Sequence, residues 1–151
     1  MAENKKVKNA QGVSYDGINF KSRLEYNCYR LLKDAGFDPA YEPVRYKLLP
    51  SSKLEVGSIY TPRKKILIEY KSYREITYTP DFEFFIGGTH VYFDTKGKPN
   101  DAYPLKKKLF LHYLESVGEP YIFFEPHNIA QIEQSISILL DELRRQDHRT
   151  V

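Results

Sequence analysis

Tyr78-Thr79-Pro80-Asp81-Phe82-Glu83-Phe84-Phe85-Ile86-Gly87-Gly88-Thr89-His90-Val91-Tyr92-Phe93-Asp94-Thr95-Lys96-Gly97 is the stretch around which the rest of the chain can be organised. Two β-prone runs, 82–86 and 90–95, flank a Gly-Gly pair, a standard hairpin signal. With Gly87-Gly88 as a two-residue loop, Ile86 faces Thr89, and the same register carried outward sets Asp81 opposite Asp94. Directly opposed side chains on antiparallel strands have Cβ atoms about 4.5–5.5 Å apart, and like charges held there destabilise the pair unless something offsets them. A cation is the natural partner. The register also sorts the faces. Phe82, Phe84, Ile86, Val91 and Phe93 point to one side as a core face, and Asp81, Glu83, Tyr92, Asp94 and Lys96 point to the other. Asp94 and Lys96, two residues apart on one strand, share a face about 7 Å apart.

Working upstream, Leu24, Cys28, Leu31, Leu32 and Ala35 recur at helical spacing and Gly36 follows as a stop, so a helix is expected over 22–35. A strand is expected over 41–49, ended by the turn Pro50-Ser51-Ser52, and two Ile- and Tyr-rich strands over 66–70 and 75–79. Downstream, Pro104 suits the first turn of a second helix, whose apolar residues run from Leu105 through Leu109, His112 and Tyr113 to Val117 before Gly118 closes it. A short buried strand is expected over 121–124. Ile129, Ile132, Ile136, Leu139, Leu140 and Leu143 then mark an amphipathic third helix. The order is α, several β, α, β, α, an α/β fold with a mixed sheet flanked by helices. The expected organisation is a basic tail over 1–12, a core over 13–126 with a hairpin insertion near 51–73, and a C-terminal helix within 127–151.

Composition narrows the function classes. The 151 residues suit one compact domain, with 41% hydrophobic and 28% charged residues. No apolar run approaches the roughly 18 residues of a membrane span, and the polar N-terminus lacks a secretory signal, so no membrane partner is expected. Cys28 is the only cysteine, which excludes a disulfide framework and a cysteine-rich zinc site and favours a reducing, cytoplasmic setting. The net charge of +3 permits nucleic-acid binding without arguing for it. No phosphate-loop or dinucleotide glycine pattern is present.

Two carboxylates and an ammonium on one patch suit Mg²⁺, which takes oxygen ligands, accepts one or two carboxylates and fills its remaining positions with waters and substrate phosphate. Asp81 can bridge two ions, with Asp94 and the Thr95 carbonyl completing the first site. Lys96 can orient the attacking water or neutralise charge developing on a phosphate.

Pro80-Asp81 followed by Asp94-Thr95-Lys96 resembles the signature of the PD-(D/E)XK nucleases. The closer likeness is to the phage endonuclease I group of junction-resolving enzymes and related phage endonuclease-like proteins. It runs from Phe20-Lys21-Ser22-Arg23-Leu24-Glu25 through Lys106-Lys107-Lys108 to Phe123-Phe124, about two thirds of the chain. The resemblance implies a restriction-endonuclease-like core and a Mg²⁺-dependent endonuclease acting on DNA, with four-way junctions and other branched DNA as its substrate class. It implies catalysis by Glu25, Asp81, Asp94 and Lys96, with Glu25, Asp81, Asp94 and Thr95 at the metals. Two ions per site are expected, with Mn²⁺ able to replace Mg²⁺. Phosphate contacts are expected from Lys107 or Lys108, with Lys106 and Lys98 beside them. A homodimer follows from symmetric cutting of a junction, and the host cytoplasm is the setting if the chain is phage-encoded. The chain departs from its nearest relatives in carrying Asp94 where they have Glu, and in the added 51–73 segment.

Each residue also has a duller explanation. Ser22-Arg23-Leu24-Glu25 is a good capping box, Asp81 after Pro80 suits a turn, and Asp94, Lys96 and the lysines at 106–108 suit solvated surfaces. Glu69-Tyr70-Lys71 repeats the acid-x-lysine spacing without an upstream Pro-Asp and reads as a surface hairpin, while Glu83 is expected beyond the metals, toward solvent. The alternatives to a structure-selective nuclease are a nicking or relatively unspecific duplex nuclease and a non-catalytic nucleic-acid-binding protein on the same fold.

Overall fold

The structure is a computed structural model that describes residues 12–62, 64–69 and 72–149. Apart from Gly12, the expected basic tail lies outside the described residues, as do Tyr70 and Lys71. In chain order the first elements are β1 (Val13–Tyr15), β2 (Ile18–Phe20), α1 (Arg23–Asp34), β3 (Ala40–Tyr41), β4 (Tyr46–Leu49), β5 (Ser52–Lys53), β6 (Tyr60–Pro62) and β7 (Ile66–Ile68). They are followed by β8 (Ser72–Tyr73), β9 (Ile76–Tyr78), β10 (Phe82–Ile86), β11 (Thr89–Phe93), α2 (Tyr103–Val117), β12 (Tyr121–Phe124) and α3 (Ile129–Arg149).

The centre is a mixed four-stranded sheet in the order β12-β11-β10-β3. β10 and β11 pair antiparallel with Ile86 opposite Thr89 and Phe82 opposite Phe93, the register that a two-residue loop dictates. Gly87 takes φ +58 while Gly88 does not take a positive φ, the pattern of a type II′ turn with glycine at its first central position. β12 adds to β11 in parallel, after the crossover through α2 that a parallel connection requires.

Helices cover both faces of this sheet. Phe82, Phe84, Ile86, Val91 and Phe93 pack against Cys28 and Leu32 of α1 and Ile132, Ile136 and Leu139 of α3. Burying an aromatic or aliphatic side chain of this size contributes roughly 1.5–3 kcal/mol, so this layer supplies most of the fold's cohesion. On the other face, Tyr92 packs with Tyr78, Tyr103, Phe110 and Leu114, the last three from α2. The architecture is therefore mixed α/β with a mixed sheet and three helices. Most of the apolar stripe of α3, from Ile132 to Leu143, packs inside its own chain. No helix among the described residues is long and apolar enough to cross a membrane.

Two local readings change. The strand expected over 41–49 is two strands with different partners, β3 on β10 and β4 on β9. The break falls at Glu42-Pro43, where Glu42 takes φ +45 and Pro43 has no N–H to give a ladder. A hairpin absent from the sequence reading joins β1 to β2 through Asp16-Gly17, both at positive φ as a type I′ turn requires. Beyond Leu49 the segment near 51–73 forms β5 on β8 and β6 on β7.

Candidate functional site

The ladder between β11 and β12 continues past its last pair. The Asp94 N–H donates to the Phe124 carbonyl at 2.9 Å and the Lys96 N–H to the Pro126 carbonyl at 3.1 Å. Asp94 and Lys96 are thus fixed on an extension of β11, beside the start of β10, where Asp81 follows the buried Pro80. Asp81 Oδ2 accepts from both the N–H and the hydroxyl of Thr95, each at 2.8 Å, which fixes the direction of the carboxylate. Thr95 acts here as the holder of Asp81. Asp94 Oδ2 accepts from the Tyr78 hydroxyl. Asp94 Oδ1 lies 3.1 Å from the Lys96 ammonium but receives no aligned hydrogen bond, although Asp94 is fully buried. Lys96 also lies over the Tyr103 ring, 4.6 Å from its centroid, which steadies the ammonium from α2.

Glu25 enters from α1. Ser22 caps that helix by accepting from the Glu25 N–H at 3.1 Å. Glu25 Oε2 in turn accepts from the Lys21 N–H at 2.8 Å and the Tyr41 hydroxyl at 2.9 Å. The capping box is therefore present, turned back onto Lys21 rather than Ser22, and it does not remove Glu25 from the site. Glu25, Asp81 and a residue that the sequence reading missed, Glu42, each offer a carboxylate oxygen, all within 4.8 Å of one another. Tyr41 faces Phe82 in the β3–β10 register, and the Glu42 N–H continues the pairing to the Asp81 carbonyl at 2.8 Å. The left-handed turn at Glu42 brings its side chain in, with Lys21 Nζ 2.7 Å from Oε1. The one sequence signal for Glu42 was an acid immediately before the proline that ends a strand.

The electrostatics of the cluster are those of acids forced together. Burial pushes the Asp81 carboxyl well above the usual carboxylate range, and the charges of Asp94 and Glu25 push the same way, against Lys96 and the Thr95 hydrogen bond. Asp94 is also raised by burial, with Lys96 and Tyr78 pulling it down. Burial and the nearby Asp94 push the Tyr78 hydroxyl far up, so it stays a donor. The donor set is all oxygen, with no cysteine or histidine, and includes a buried carboxylate oxygen without an aligned partner. Those are the preferences of a hard divalent cation such as Mg²⁺ or Mn²⁺. The residues fit such an ion, with Asp81 common to the Glu25–Glu42 side and the Asp94–Lys96 side.

The remaining candidates divide. Lys107 is engaged by Glu125 at 3.1 Å, next to the Pro126 that receives the Lys96 N–H. Lys106 is half-buried, and Lys98 and Lys108 are exposed. Glu83 is not turned to solvent. It is buried, with Oε1 accepting from the Tyr46 hydroxyl at 2.5 Å and lying 2.9 Å from His90 Nε2, because β4 and α2 cover that face. Glu69 accepts from Tyr73 on the outer hairpin, away from the cluster.

A family model described as protein of unknown function (DUF1064) matches residues 5–123. The chain belongs to that family. The DUF1064 match spans Glu25, Glu42, Asp81, Asp94 and Lys96 and stops before α3. No curated protein and no solved structure matches the chain.

Proposed function

We propose that this DUF1064 chain is a divalent-metal-dependent endonuclease that hydrolyses DNA phosphodiester bonds. The observation that carries the proposal is the meeting of Asp81 with Asp94 and Lys96 on one side and with Glu25 and Glu42 on the other, all at one end of the β10–β11 hairpin. Buried carboxylates crowded to this degree cost stability unless a cation joins them. A divalent cation bound there supplies Lewis-acid stabilisation of phosphate charge and acidifies an attacking water. The chain's own residues do the rest. Thr95 and Tyr78 lock the carboxylates of Asp81 and Asp94 into fixed directions. Tyr41 and the Lys21 N–H do the same for Glu25. Lys96, still about a quarter exposed, presents its ammonium at the rim, where it meets developing negative charge on a phosphate or positions a water.

In the same proposal the four-stranded sheet with helices on both faces is a restriction-endonuclease-like core. Branched DNA is the proposed substrate class and a homodimer the proposed cutting unit, since symmetric incision needs two sites related by a two-fold axis.

The test is cleavage of a labelled panel (four-way junction, flap, plain duplex, single strand) by wild type and Asp81→Ala in Mg²⁺, Mn²⁺ and EDTA. Metal- and Asp81-dependent cutting of the junction above the other substrates is expected. Equal cutting of all four removes the branch selectivity. Absence of cutting by folded protein replaces the nuclease with a non-catalytic nucleic-acid-binding protein.

A further inference from the structure

The described strands between Tyr46 and Tyr78 pair as an interrupted two-stranded ribbon. β4 pairs with β9, β5 with β8 and β6 with β7, each pair nested along the chain inside the one before it. Its root is tied to the acidic cluster, because Tyr78 at the end of β9 donates to Asp94. Its outer part is bare. Among the described residues from 51 to 68, only Leu54 and Thr61 are even half-buried. An isolated two-stranded hairpin is at best marginally stable in water, so a ribbon of this kind is built to lie on something else.

Charge decides what. Residues 46–78 carry seven Lys and Arg against three Glu, a net of +4, whereas the remaining 16 basic and 17 acidic residues of the chain net −1. The positive balance of the sequence therefore falls within this segment. Near the base Lys47 is answered by Glu75, but Lys64 and Lys65 at the tip, and Arg74 lower down, are exposed. One face of the outer hairpin is apolar as well. Tyr60 opposes Ile68 and Pro62 opposes Ile66, and Tyr60, Ile66 and Ile68 are 62%, 70% and 55% exposed. A second copy of the chain would bring one +4 ribbon against another. A polyanion with apolar edges answers both features at once.

We propose that this ribbon is a nucleic-acid-binding arm that seats in the groove of duplex DNA, with Lys64 and Lys65 on the phosphates and the Tyr60–Ile68 and Pro62–Ile66 pairs against sugars and thymine methyls. A two-stranded β-ribbon is one of the two elements that the major groove admits. The arm delivers the duplex to the cluster at its root, and in this it rests on the DNA-hydrolysing reading of that cluster.

The test uses the full chain and a Lys64→Gln/Lys65→Gln variant. Duplex affinity is measured by fluorescence anisotropy across a salt series in EDTA, so that binding is read without cutting. Mn²⁺ binding by calorimetry and oligomeric state by sedimentation are measured separately in EDTA-free buffer. The expected result is a duplex affinity at least tenfold weaker, with the slope of log K on log salt reduced by about 1.8, the value for two lost phosphate contacts. Mn²⁺ binding should be unchanged, and that arm separates the ribbon from the cluster. Wild-type affinity and slope in a folded variant would overturn the proposal. So would a wild type that binds no duplex, or a substitution that alters self-association and leaves DNA binding alone. Absence of Mn²⁺ binding by wild type that still binds duplex would sink the catalytic reading and leave the arm standing.

Discussion

Asp81 and Asp94 are each held by an uncharged donor, Thr95 for one and Tyr78 for the other, so cluster geometry depends on residues that need never touch a ligand. Partners of this kind typically affect metal affinity or activity 10- to 100-fold when removed. Tyr78→Phe should therefore lower cleavage and Mn²⁺ affinity by about that factor. Its ring still packs on Phe110, so thermal unfolding should register no more than about 1–2 kcal/mol. Comparable losses of stability and activity would make Tyr78 merely structural. Glu42 permits the opposite separation. A non-glycine residue at φ +45 is strained and its ion pair with the exposed Lys21 is worth little. Glu42→Gly should keep stability within about 1 kcal/mol while weakening metal binding in a calorimetric titration. Undiminished binding would remove Glu42 from the cluster. The opposition of Asp81 and Asp94 was legible because a two-residue loop leaves one register. Glu42 was not, because its position depends on the pairing of β3 with β10, some 40 residues downstream, and no local pattern encodes that.

The elements read from sequence were those with long apolar periodicity or a rigid turn. α1 runs Arg23–Asp34 between the Ser22 cap and Gly36, β10 and β12 fall where expected, and α2 ends at Gly118 in the left-handed conformation. Short, half-exposed elements were lost. The β1–β2 hairpin carries only three residues a side, yet its Asp16-Gly17 pair is the turn chemistry that a type I′ loop demands. At φ +75 Gly17 cannot be replaced without strain, so Gly17→Ala should cost on the order of 1 kcal/mol in denaturant unfolding. No change would mean that the hairpin contributes nothing to the folded state. The strand expected over 41–49 divides because β-propensity runs through the segment while Pro43 ends one pairing and lets β4 begin another on β9.

At the scale of the molecule, α3 lies outside the residues that the DUF1064 model matches yet belongs to the same core as α1. Ile132→Ala should destabilise the whole protein by about 2–5 kcal/mol in a single cooperative transition. A separate early transition for α3 would show that it folds apart from the sheet. Cys28, fully buried between those helices, has its thiol pushed well up by burial and should react with a thiol reagent only as the protein unfolds. Rapid reaction in the native state would deny that packing. The alternation and periodicity that build this core were visible in sequence, and so was the acid-rich end of the central hairpin. The ribbon's exposure was not, since Ile- and Tyr-rich strands read alike whether they are buried or bare. Everything functional converges on the claim that the carboxylates around Asp81 form a divalent-metal centre. Calorimetric titration of Mn²⁺ into wild type and Asp81→Asn tests it most directly. The account predicts saturable binding by wild type that the substitution abolishes, with the variant still folded. No binding by folded wild type, or equal binding by both proteins, would contradict it.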